Sequence, residues 1–103
     1  PGQKRLAGRM DPLVILSKAA GLINCDLNRL MRSGRLSGVE KDQRDVLIYF
    51  IWTKGRLTNA KIGALFGVTY SSISHSVKAA KTKIKKDAKL IAKYNALNSQ
   101  FKI

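Results

Sequence analysis

Thr58-Asn59-Ala60-Lys61-Ile62-Gly63-Ala64-Leu65-Phe66-Gly67-Val68-Thr69-Tyr70-Ser71-Ser72-Ile73-Ser74-His75-Ser76-Val77 is the stretch on which the fold turns. Thr58 has the chemistry of an N-cap, and the residues after it carry Ile62, Leu65 and Phe66 at helical spacing. Gly67 is suited to end that helix in the left-handed conformation. Val68-Thr69 then reads as a tight turn, with Thr69 capping a second helix from Tyr70. Gly63 is small where two helices would cross. Gly67 follows four residues later and the branched Ile73 six residues beyond that. With Ile62, Phe66, Val68 and Val77 as the shared core, the spacing predicts two helices packed at a steep angle, a helix-turn-helix over about 58–86. An ordinary helical hairpin is the alternative.

The second helix continues with Ile73, Val77, Ala80 and Ile84 on one side, a period close to 3.6. Ser71, His75, Lys78, Thr82 and Lys85 fall on the other. A last helix over about 87–99 is expected to bury Leu90, Ile91, Tyr94 and Leu97 and to expose Lys89 and Lys93. Whether these two helices form one rod is open at this point.

Upstream, Asp11-Pro12 is a helix-start signal, and residues 12–23 predict a helix burying Leu13, Leu16, Ala20 and Ile23. Asp26 caps a further turn with Leu27, Leu30 and Met31. Cys25 between them reads as a small packed side chain. Residues 32–38, with two glycines and two serines, read as a loop carrying Arg32 and Arg35. Ser37 and Glu40 have capping-box spacing. The apolar run Val46 to Trp52 would pass for a buried strand. The capping box before it, the polar turn Lys41 to Asp45 and the stop signal Lys54-Gly55 favour a helix at about 39–54. A helix apolar all round belongs at the centre. The fold class is therefore all-α: a compact multi-helix domain around a central buried helix. Residues 1–10 read as a flexible basic arm and 11–103 as a single domain.

The chain has 103 residues, 20 Lys and Arg against 6 Asp and Glu, and a formal net charge of +14. Hydrophobic residues make up 45%, too many for a wholly disordered basic tail. The charge asks for a polyanionic partner, nucleic acid first and an anionic membrane surface second. The longest apolar run is seven residues, too short to span a bilayer, and no signal-peptide pattern appears. One cysteine makes no internal disulfide, and a cytoplasmic, nucleoid-associated setting is expected. The start at Pro1-Gly2, without an initiator methionine, reads as a fragment of a longer protein or as processing. One histidine and one cysteine leave no zinc site of normal spacing. No phosphate-binding loop is present and no catalytic carboxylate pair stands out. The expectation is no cofactor, no metal, no small-molecule substrate and no enzymatic activity in this chain.

The exposed side of the second helix suits base reading. Thr69, Tyr70, Ser71, Ser72 and His75 are the candidates: the serines for base edges or phosphates, Tyr70 for a thymine methyl, His75 one turn after Ser71. Serine as a mere helix cap and His75 as a surface histidine without a role are the bland alternatives. Arg35, Arg44, Thr58, Asn59, Lys61 and Lys78 are phosphate or minor-groove candidates, the start of the first helix through its free backbone N–H groups. The Lys81-to-Lys93 cluster reads as long-range attraction. Double-stranded DNA is the expected partner. A basic RNA-binding or ribosome-associated role shares the charge, but its seven aromatics fall mostly on apolar helical faces. A membrane-surface or protein-partner role for the Lys-rich 78–99 segment is a third reading.

Residues 44–84 resemble the C-terminal DNA-binding domain of the bacterial replication initiator DnaA. Ile62-Gly63-Ala64-Leu65-Phe66-Gly67 matches that family's "IG-x-x-FG" pattern, and Ser71-Ser72-Ile73-Ser74-His75 stands where it has "T-T-V-x-H". Arg44 matches the arginine opening the family's long helix, which implies a phosphate contact. Arg35 resembles by position its minor-groove arginine, and Ser71, Ser72 and His75 would be major-groove contacts. The second glycine after "FG" is missing, and Thr69-Tyr70 replaces the family's Asp-His pair. Gly67-Val68-Thr69-Tyr70-Ser71-Ser72-Ile73-Ser74 is more similar to the DnaA-like domain at the C-terminus of proteins related to REP-associated tyrosine transposases. Gly8-Arg9-Met10-Asp11-Pro12 and the short helices after it resemble that family's linker. The resemblance implies a helix-turn-helix of the DnaA and Trp-repressor type and a sequence-preferring duplex-DNA-binding module, with nuclease chemistry outside this chain. A replication-initiator or transcription-regulatory DNA binder is the neighbouring reading.

Overall fold

Caps and glycines set where the helices start and stop. The computed structural model describes residues 12–32, 36–54 and 57–100. The expected arm at 1–10, the Asp11 cap, Arg35 and Gly55 lie outside the described residues. Among the described residues the protein is all-α: α1 Pro12–Leu22, α2 Leu27–Arg32, α3 Gly38–Lys54, α4 Asn59–Phe66, α5 Tyr70–Lys86 and α6 Ala88–Gln100. No strand occurs among them, so the run Val46 to Trp52 is helical.

The box that opens α3 is reciprocal. Glu40 N–H donates to Ser37 Oγ at 3.2 Å, and Ser37 N–H donates to Glu40 Oε1 at 3.0 Å. Arg29 on α2 donates to the same carboxylate. That pair, with the Ser37 N–H behind it, holds the Glu40 carboxyl down at about 2. Asp26 caps α2, accepting the Arg29 N–H at 3.3 Å.

α3 is the central helix: every other helix packs against it. Val46, Leu47, Ile48, Phe50 and Ile51 are buried. Burial of such side chains stabilises by roughly 1.5–3 kcal/mol each. It is not apolar all round. Trp52 is 37% exposed at its far end, and Asp45 is buried one residue before the apolar run.

Two helices are turned from their expected phase. In α1, Ile15, Leu16, Ala19 and Ala20 face the core and Leu13 lies on the outer side. Ile23, just after the helix, is buried as expected. In α6, Leu90 and Leu97 are buried, Tyr94 is half-buried, and Ile91 is exposed while Lys93 is half-buried. The reason is α6's register on α3. Tyr94 packs at a tilt against Tyr49, ring centroids 5.2 Å apart, and meets the Phe50 ring edge-on. Positions 90, 93, 94 and 97 then make one helical stripe, on which Lys93 is half-buried.

Cys25 is half-buried against the core, as its small packed role requires. Burial pushes its thiol up, away from the reactive thiolate. α5 and α6 are not one rod. Asp87 between them is extended, and its Oδ1 accepts the Lys89 N–H at 2.9 Å. No helix among the described residues is long and apolar enough to cross a membrane.

Candidate functional site

Two caps and two glycines set α4 and its junction with α5. Thr58 is extended and its hydroxyl accepts the Lys61 N–H at 3.2 Å. Gly67 closes α4 in the left-handed region at φ +68°, its N–H returning to the Gly63 carbonyl. The Val68 N–H bonds the same carbonyl at 2.8 Å. Thr69 caps α5, accepting the Ser72 N–H at 3.2 Å. Gly63 lies directly against the backbone of the turn at Val68 and Thr69. A Cβ there would sit 2.5 Å from the Val68 carbonyl oxygen, so no side chain fits. Ile62, Phe66, Ile73 and Val77 are buried beneath this contact, and Leu65 and Val68 are half-buried beside it.

This junction turns the start of α5 outward. Tyr70 is 64% exposed, and Ser71, His75, Lys78, Thr82 and Lys85 are exposed along the same helix. Thr69 and Ser72 hold one another: besides the cap, the Thr69 hydroxyl donates to Ser72 Oγ at 3.2 Å. Ser71 is therefore the serine with its hydroxyl directed to neither. Thr58 and Lys61 lie exposed at the head of α4, the Lys61 N–H already used by the cap.

The Asn59 side chain links the two helices. Its Nδ2 donates to Ser74 Oγ at 2.9 Å and ties α4 to α5. Asn59 and Lys78 are brought together in one open groove of about 180 Å³, also lined by Trp52, Ser74, Val77 and Lys81. Arg44 is not part of that groove. It is half-buried on α3, and its Nε is buried without a hydrogen-bond partner.

The charges are sorted. Every described carboxylate is engaged away from the outer face of α5. Asp26 and Asp87 cap helices, Glu40 pairs with Arg29, and Asp42 and Asp45 face Lys83. The Lys83 ammonium donates to Asp42, which raises its pKa. Asp45 is buried at 1% exposure, and neither of its oxygens accepts a hydrogen bond. The buried Ser76 hydroxyl lies near it without reaching hydrogen-bond geometry. Burial raises the Asp45 pKa, against that hydroxyl and the cations Lys83, Arg44 and Lys41. No carboxylate remains among the groove residues or along the row from Ser71 to Lys85.

Sequence reasoning missed Trp52 and gave Lys81 only a share in long-range attraction. Lys81 Nζ sits over the Trp52 indole, 5.4 Å from its centroid. The apolar run hid Trp52, and only its place at the end of that run sets it apart. No protein-family model matches this chain, and no curated protein matches it in sequence.

Proposed function

We propose that this chain is a sequence-preferring double-stranded DNA-binding module, in which α4 and α5 act as a helix-turn-helix and α5 enters the major groove. The observation that carries the reading is the sorting of charge. All described carboxylates are engaged elsewhere, while α5 presents Tyr70, Ser71, His75, Lys78 and Lys85 with no acid among them. Base-reading groups lie at the N-terminal end of that row and cations at the other.

Three parts then have distinct duties. Tyr70, Ser71 and His75 read base edges. Thr69 and Ser72 fix the start of the helix that carries them. Lys78, with Arg44 and Lys61, neutralises phosphates. The resemblance to DnaA-like domains of transposase-related proteins supports the same reading and suggests the DNA-recognition part of such a system.

The test is selection of bound duplexes from a random pool at stated salt. An enriched motif is expected. Ser71→Ala or Tyr70→Ala should then weaken binding to that motif by roughly 1–3 kcal/mol and relax the preference at one position. Equal recovery of all sequences, or of structured RNA ahead of duplex DNA, would contradict the reading.

A further inference from the structure

From the groove between Trp52 and Lys81 we infer a phosphodiester subsite, which takes the phosphate and adjoining deoxyribose of the DNA strand flanking α5's base-reading row. The inference rests on the DNA-binding reading and adds to it Trp52, which neither the motif nor the charge pattern singled out, and a direct contact for Lys81.

The groove is formed by three helices. Trp52 comes from the end of α3, Asn59 from the start of α4, and Ser74, Val77, Lys78 and Lys81 from α5. Its chemistry is one-sided: two ammonium groups, a carboxamide, a hydroxyl and an indole, with no carboxylate. Neither Lys78 nor Lys81 forms an ion pair among the described residues. Lys81 instead rests over the indole face. A cation held there keeps its charge and gives up little freedom when an anion arrives. The exposed indole also offers a flat apolar surface against which a sugar can pack, and an N–H donor.

Position on α5 says which anion. At about 100° per residue, Lys78 lies roughly 20° from Ser71 around the helix and Lys81 roughly 80° away on the same side. Lys78 thus borders both the base-reading row and the groove. A strand whose bases face Ser71 and His75 runs its backbone past Lys78 toward Lys81 and Trp52. The occupant is therefore a backbone phosphate of bound duplex rather than a free small anion.

Trp52 is the only tryptophan in the chain, so its emission reports on the groove directly. The experiment titrates the full chain with a short mixed-sequence duplex at low salt, reading Trp52 emission and, in parallel, the anisotropy of labelled duplex. The expected result is a change in Trp52 emission that tracks binding. Lys81→Ala should weaken binding severalfold, lower the log–log salt slope by about one, and leave the selected motif unchanged. Its helical circular dichroism should match wild type. Duplex binding with unchanged Trp52 emission would overturn the subsite and leave the DNA-binding reading standing. An absence of duplex binding would overturn both. Saturation of the emission change by inorganic phosphate alone, at concentrations where duplex phosphate has no added effect, would overturn the assignment to a DNA strand.

Discussion

Gly63 and Asp45 show how single residues constrain this molecule in opposite ways. At Gly63 the constraint is contact. A methyl group would overlap the Val68 carbonyl oxygen, a backbone atom of a residue whose own N–H is tied to the Gly63 carbonyl. Gly63→Ala is expected to destabilise the fold by about 1–3 kcal/mol in urea unfolding. An unchanged midpoint would mean that α4 and the Val68–Thr69 turn do not approach this closely. At Asp45 the constraint is charge. Its folded-state pKa is raised, so its contribution to stability is fullest below the unfolded value of about 3.9 and is lost as pH rises through the folded value. Glu40 runs the other way: its lowered pKa adds stability above the ordinary glutamate range, lost as pH falls toward about 2. The stability of Asp45→Asn relative to wild type should therefore rise between about pH 4 and neutral pH. Thermal melts of both proteins across that range check it. A pH-independent difference would contradict the buried, destabilised carboxylate.

At the scale of elements, caps place the helices and tertiary contacts choose their faces. Asp87 separates α5 from α6 and satisfies the Lys89 N–H. Asp87→Ala should cost about 0.5–2 kcal/mol by denaturant unfolding, and Asp87→Asn much less. Equal losses would point to charge rather than capping. The capping signals at Ser37, Thr58, Gly67 and Thr69 are short-range chemistry, and for that reason they were legible in the sequence. So was the core side of α5, whose apolar residues keep a clean helical period. Phase failed where the sequence offers two apolar stripes one residue apart. Leu13-Val14-Ile15-Leu16 has no polar partner to choose between them, and α3 and α6 make the choice. In α6 the aromatic contact of Tyr94 with Tyr49 turned the helix and exchanged Ile91 for Lys93. The outer row of α5 was readable as a row. The groove beside it was not, because it joins Trp52, Asn59 and Lys81 across three elements.

Over the whole molecule, the net charge of +14 is a distribution. The described acids are drawn into caps and into pairs with Arg29 and Lys83. The cations on the outer side of α5 and in its groove, Lys78, Lys81 and Lys85, are left facing solvent. A protein arranged this way should bind duplex DNA through phosphates before it reads any base, and phosphate contacts release counterions. The most direct test is the dissociation constant for a duplex measured across a series of salt concentrations. With about six phosphates neutralised, log affinity should fall against log salt with a slope near −5. A slope near zero, or no duplex binding at low salt, would contradict the account.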